Sequence, residues 1–367
     1  MKKGFATVAQ LSEFDEIIDA RSPAEFDDDR IPGAISCPVL DNAQRAIVGT
    51  IYKQQSAFEA RRVGAALVAE NIARHLKERF HDKPKNWRPL VYCWRGGQRS
   101  GSFVTWLRLI GWDACQLEGG YKNWRRTVIA ELEELPKRFD FRVVCGATGS
   151  GKTRVLEALA GLGAQVLDLE HLAAHKGSVL GSLPDRPQPT QKSFETTLFE
   201  TLRRLDAARP VYVEAESRKI GRIQVPDALI ERMRASTCVA IDATRDARLE
   251  FLVRDYAYLG DDVADLQRKI DFLKGLQSNE TLEQWKALAG RRDLPELFAQ
   301  FIDLHYDPLY RRSQNKNFSG FPDAPSFATD DLSPAGIAEL AGRILAQEAA
   351  ARPAAQPGAD SPNLSMR

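Results

Sequence analysis

Short apolar runs alternate with helically spaced ones along the first third of the chain. Asp15–Ala20 (DEIIDA) predicts a strand ending at Asp19, followed by a turn at Arg21-Ser22-Pro23, and Ala34–Val39 predicts a second short strand. Ala57–Leu76 carries the 3.6-residue apolar period of a long helix. Leu90-Val91-Tyr92 reads as a buried strand that runs into Cys93. Ser102–Ile110 regains helical spacing, and Asp113–Leu117 is strand-like before Gly119-Gly120. Strands alternating with helices predict a mainly parallel α/β sheet. The charged segment Glu131–Arg138, broken by Pro136, predicts a joint between domains. A second α/β unit opens at Phe141–Cys145. Its further strands are expected at Ala164–Leu167, Pro210–Val213 and Thr237–Ile241, with helices between them and a mostly helical stretch from Asp261 to His305. Gln347–Arg367, rich in Ala and Pro with a polar end, is expected to be disordered. The pattern divides the chain into α/β domains at 1–133 and 134–345 and a tail at 346–367.

The length of 367 residues suits two domains of about 150 residues each. Apolar residues make up 43% and charged residues 28%, enough apolar side chain for two cores. Lys plus Arg number 51 against 50 acidic residues, for a net charge of +1, so any RNA partner must be held by local basic patches. No apolar run approaches the ~18 residues that span a bilayer, and the residues after Met1-Lys2-Lys3 are too polar for a signal-peptide core. Five scattered cysteines without a C-x-x-C pair argue against a disulfide framework or a cysteine zinc site. The expected compartment is therefore the reducing cytoplasm, with no membrane partner. Nothing in the pattern specifies an oligomeric state.

Gly146-Ala-Thr-Gly149-Ser150-Gly151-Lys152-Thr153 satisfies G-x-x-x-x-G-K-[ST] between an apolar strand and the helix expected at Arg154–Leu162. Its glycines let backbone N–H groups turn toward phosphate oxygens at a helix N-terminus. Lys152 neutralises the terminal phosphates, and the Thr153 hydroxyl is placed to hold Mg²⁺. The second acidic motif is less orthodox. Val211–Glu216 offers Glu214 and Glu216 where an ATPase commonly has Asp, and Asp168 and Glu170 are other candidate metal partners.

Cys93-Trp94-Arg95-Gly96-Gly97-Gln98-Arg99-Ser100 is a different loop, again between a buried strand and a helix. A cysteine at the floor of a cradle of amides, beside a helix N-terminus, is favoured as thiolate. Arg99, and secondarily Arg95, suit an oxyanion such as phosphate or sulfate. Cys93 is thus the candidate nucleophile, and the other four cysteines fall in apolar strands. Nine Lys or Arg against two acids between residues 74 and 108 form a basic stretch around this loop. Arg218, Lys219 and Arg222 form a second cluster, and Tyr310 with Arg311 and Arg312 a third, joining stacking to phosphate neutralisation. The five histidines form no metal-ligand set.

Ile18–Phe26 (IDARSPAEF), Ile31-Pro32-Gly33-Ala34, the cysteine loop and Leu117–Gly120 occur in the order of a rhodanese domain, which this segment resembles. Rhodaneses usually place Arg after four intervening residues. Here five separate Cys93 from Arg99, as in rhodanese-like cell-cycle phosphatases, and the wider loop suits a phosphate-sized group. With the P-loop downstream, residues of about 5 to 330 resemble the bacterial tRNA 2-selenouridine synthases. Val48–Gln54, Phe58–Ala60, Gly64–Ala69, Asp168–His171, Lys176–Ser178 and Glu214–Gly221 add to that likeness. The resemblance implies a rhodanese-like parallel-sheet domain followed by a P-loop NTPase-like parallel-sheet domain with a helical C-terminal part. It also implies conversion of wobble 2-thiouridine in tRNA to 2-selenouridine through an S-geranyl intermediate, with geranyl diphosphate and selenophosphate as co-substrates and no tightly bound cofactor. On this likeness Cys93 accepts selenium, Arg99 and the loop amides hold the phosphate, and the P-loop holds the diphosphate. The residues leave two alternatives open: a P-loop kinase or ATPase with a regulatory rhodanese-like domain, and a rhodanese-type phosphatase or sulfurtransferase.

Overall fold

The computed structural model describes residues 4–310 and 317–351. Its first sheet contains β1 (Phe5–Ala6), β2 (Glu16–Asp19), β3 (Ile35–Ser36), β4 (Pro89–Tyr92) and β5 (Cys115–Leu117), all parallel, in the order β1-β5-β4-β2-β3. The central strand β4 is buried throughout, and Ile18, Val91, Phe103, Leu107, Trp87 and Trp112 build the core around it. The expected helix at 57–76 runs from Ala57 to Arg79. A helix that the apolar pattern does not announce, Asn42–Gln54, precedes it. That helix starts at a reciprocal cap, in which Asp41 accepts from the Gln44 amide and the Gln44 side chain accepts from the Asp41 amide.

The expected joint at Glu131–Arg138 is formed by the end of a helix, Gly120–Glu134, and a 3₁₀ turn at Leu135–Arg138. Tyr121, Trp124, Val128 and Leu132 recur along one buried face of that helix. The chain folds into two compact units. One takes Met1–Phe139 with Glu170–Asp206 and Glu216–Arg232; the other takes Asp140–Leu169, Ala207–Ala215 and the chain from Met233. A single cut near residue 134 therefore separates the two sheets but not the two units. Within the first unit, Asp29 shows why. It is a buried carboxylate that accepts from the Tyr121 hydroxyl at 2.8 Å and the Thr196 hydroxyl at 3.0 Å, while Arg125 pairs with Glu195. Burial raises the Asp29 pKa, and these partners oppose that rise. The same unit holds a small antiparallel hairpin, β9 (Lys219–Ile220) and β10 (Ile223–Gln224).

The second unit is built on β6 (Phe141–Gly146), β7 (Gln165–Leu167), β8 (Val211–Glu214), β11 (Thr237–Ala243) and β12 (Ser326–Thr329), parallel in the order β12-β11-β6-β8-β7. The edge strand β12 was not foreseen. Helices Val263–Asp271, Asn279–Gly290 and Leu294–Phe301 bear out the helical reading of Asp261–His305, and a further helix, Arg245–Asp255, precedes them. The C-terminal helix extends from Pro334 to Ala351, beyond the tail boundary expected at 346. Leu340, Ala341 and Ile344 pack it into the core with Val155 and Leu159, and Glu348 pairs with Arg142 at 2.8 Å. Among the described residues no helix is long and apolar enough to cross a membrane.

Candidate active site

Cys93 follows β4 directly, and the helix Gln98–Ile110 begins five residues later with Gly97 at its N-cap. The thiol is buried, at 3% exposure. The carbonyls of Cys93 and Trp94 accept from the amides of Tyr121 and Lys122, both at 2.9 Å. In a trans peptide the N–H opposes the C=O, so the amides of Trp94 and Arg95 turn away from those of Tyr121 and Lys122. Gly120 makes this contact possible. At φ +59°, a Cβ there would stand 2.3 Å from the Cys93 oxygen and 2.4 Å from the Gly96 nitrogen. The Gly119-Gly120 pair is therefore the floor beneath the cysteine loop.

Ser100 is fully buried and donates its hydroxyl to Cys93 Sγ at 3.1 Å. Gln116 of β5, a residue that no motif announced, donates to Ser100 Oγ at 2.9 Å and to the Gly97 carbonyl at 3.0 Å. Arg99, expected to hold an incoming phosphate, has its guanidinium engaged by Glu25 at 2.7 and 3.3 Å. Glu25 also accepts from the Ser22 amide at 3.1 Å and from Arg45 at 3.3 Å. Burial pushes the Glu25 carboxyl up, but Arg99, Ser22 and Arg45 outweigh it and hold its pKa at about 2. Trp94, Arg95, Gly97 and Gln98 are exposed on the loop, and the Trp94 ring lies 5.4 Å from that of Tyr121. The rest of the IDARSPAEF segment is scaffold. Buried Arg21 pairs with Asp19 at 2.6 Å and lies 3.9 Å from the Tyr121 ring centroid, and the Tyr92 hydroxyl donates to Asp19 at 2.6 Å.

In the second unit, β6 leads through Gly146–Gly151 into the helix Lys152–Gly161. Gly149 (φ +82°) and Gly151 (φ +72°) occupy left-handed backbone, and a Cβ at Gly149 would press on Leu252 at 2.8 Å. The Lys152 ammonium donates to the Gly146 carbonyl at 3.0 Å and stands 3.9 Å from Glu214. Glu214 ends β8, the strand beside the P-loop strand, and accepts from the Thr153 hydroxyl at 3.1 Å. Burial pushes its carboxyl up. Lys152 and Thr153 pull it down, and the Asp168 charge pushes it up again. Thr153 and Glu214 offer hard oxygen donors of the kind Mg²⁺ takes. Ser150 is buried in the loop, and its hydroxyl has no hydrogen-bond partner among the described residues. Arg248 braces the loop from outside. It donates to the Thr148 carbonyl at 2.9 Å and is held by Asp307 at 2.6 Å.

The expected RNA-facing residues fare unevenly. Arg218 pairs with Asp227, Arg222 donates to the Gln188 carbonyl, and Lys219 is exposed. Tyr310 is half-buried, which pushes its hydroxyl pKa up, while Arg311 and Arg312 lie outside the described residues. In the basic stretch, Lys83 pairs with Glu16 at 3.0 Å and Arg88 with Asp113 at 3.2 Å, so part of that charge is neutralised locally.

A thiol cradle on one parallel sheet and a phosphate loop on a second define a rhodanese-like module joined to a P-loop module. Residues 5–127 match the rhodanese-like domain family, and residues 139–287 match the tRNA 2-selenouridine synthase AAA domain. The chain is 36% identical over 247 residues to tRNA 2-selenouridine synthase of Nitrosomonas europaea, covering 65% of this chain and 63% of that protein, a little under two thirds of its length. It is 31% identical over 323 residues to that of Alcanivorax borkumensis (80% of this chain, 88% of that protein). With that of Aeromonas salmonicida it shares 33% over 327 residues (80% and 86%). The chain belongs to the tRNA 2-selenouridine synthase family.

Proposed function

We propose that this chain replaces the sulfur of wobble 2-thiouridine in tRNA with selenium, by way of S-geranyl-2-thiouridine. The observation that supports it is the presence of two unlike anion cradles, at Cys93 and at Lys152-Thr153, in one member of this family. The uridine sulfur attacks C1 of geranyl diphosphate. The S–C bond forms, the C–O bond breaks, and diphosphate leaves toward the P-loop amides, Lys152 and Thr153. Mg²⁺ bound by Thr153 and Glu214 would neutralise the departing charge. Geranylthiol is then a better leaving group than sulfide.

Selenophosphate supplies the replacement at the cysteine loop. Its selenium is already fully reduced, so moving selenium directly onto Cys93 would require an oxidant. The balanced step is attack of the Cys93 thiolate on phosphorus: an S–P bond forms, the P–Se bond breaks and hydroselenide departs. Hydroselenide attacks C2 of the uridine and expels geranylthiol, and water clears phosphate from Cys93. Glu25 neutralises Arg99 in part, which leaves exposed Arg95 as the cation for the phosphate, and Trp94 as a platform for the splayed base.

The hydrogen bond from Thr153 to Glu214 also favours a second reading, nucleotide turnover at the P-loop. Incubating 2-thiouridine tRNA with the full chain, omitting each donor in turn, separates them by nucleoside mass spectrometry. The proposal expects geranylated uridine without selenophosphate and selenated uridine with both donors. Unchanged tRNA together with nucleotide hydrolysis would favour the second reading.

A further inference from the structure

Gln116 is an amide side chain set into an apolar sheet. It lies on β5 in register with Phe5 and Val91, and it is 7% exposed. A buried amide must place its protons, and both protons of Gln116 Nε2 go to the helix that follows the cysteine loop, on Ser100 Oγ and the Gly97 carbonyl. Ser100 has one hydroxyl proton and two acceptors in reach, Cys93 Sγ at 3.1 Å and the Gly97 carbonyl at 3.4 Å. The Gly97 oxygen already accepts from the Gly101 amide at 3.0 Å and from Gln116, so both its lone pairs are taken. The Ser100 oxygen accepts from Gln116 with one of its two lone pairs. The proton that remains has the sulfur as its open acceptor.

We propose that Gln116 is a positioning residue: by occupying the alternative acceptor and the serine oxygen together, it fixes the Ser100 proton on the Cys93 sulfur. A hydroxyl held this way offers a hydrogen-bond donor to charge on the sulfur. The assignment rests on Cys93 being the reactive group of the cradle. Its test needs neither tRNA nor selenophosphate, so failure of the proposed reaction would not be mistaken for failure of the relay.

The test follows alkylation of Cys93 by iodoacetamide in the full chain as a function of pH, read on the Cys93 peptide by mass spectrometry, with melting temperature as the control for folding. Gln116→Met keeps the volume and removes both donors, and Gln116→Leu serves if the methionine variant is unstable. The rate at neutral pH should fall about tenfold, the size of one hydrogen bond to a charged group, with the rate–pH profile displaced upward. Ser100→Ala should show the same displacement, and Ser100→Ala/Gln116→Met no more than Ser100→Ala alone, because both changes act on one proton. A Gln116→Met profile that superimposes on wild type overturns the relay. So do losses that add in the double variant. A Cys93 that reacts no faster than a cysteine of the unfolded chain would instead remove the nucleophile on which the relay acts.

Discussion

At Glu25, burial and charge compete, and the guanidinium of Arg99 decides the outcome. A carboxyl with a folded pKa of about 2 against an ordinary 4.5 contributes stability above pH ~4.5 and loses it as the pH falls toward 2. At 1.36 kcal/mol per unit, the contribution is roughly 3 kcal/mol. Glu25→Gln should therefore be less stable than wild type near neutrality by up to that amount. The gap should close as chemical unfolding is repeated at pH values down to about 2. A gap that does not change with pH would mean that the pair with Arg99 carries no net stability. Cys93 and the P-loop were legible in the sequence because each motif is contiguous and its chemistry local. Their supports were not. Glu25 reaches Arg99 across 74 positions, Arg248 reaches Thr148 across 100, and Gln116 reaches Ser100 across 16. Such partners emerge only once the sheet order brings separate strands and helices together.

Among the elements, the turn into the helix Gly120–Glu134 carries the sharpest constraint. Gly120→Ala would force a methyl group to 2.3 Å from the Cys93 carbonyl oxygen, on backbone at φ +59°. The expected cost is about 2 kcal/mol or more, seen as a lower melting temperature together with altered Cys93 alkylation. Wild-type behaviour in both would show that the cysteine loop does not rest on this glycine. The same helix runs into the expected joint. Its buried positions Tyr121, Trp124, Val128 and Leu132 have a clear period, but Pro136 and the surrounding charges read as a linker. Strands next to the two motifs were legible from their apolar runs. The short edge strand β12 (SFAT) has too little pattern to separate it from a loop. The helix Asn42–Gln54 leaves no residue fully buried, so its apolar stripe is weak.

Over the whole molecule, the sheets occupy successive parts of the chain, while each compact unit draws on non-contiguous segments. Asp29 accepts from Thr196, a pairing that neither segment's pattern contains. The proposed reaction divides between the two loops, and each loop should be removable without the other. The most direct measurement is nucleoside mass spectrometry of 2-thiouridine tRNA treated with Cys93→Ala and, separately, with Lys152→Ala, both donors present. Cys93→Ala should accumulate S-geranyl-2-thiouridine without selenation, and Lys152→Ala should leave 2-thiouridine largely unmodified. Geranylation that survives in Lys152→Ala but fails in Cys93→Ala would contradict the assignment of the two cradles.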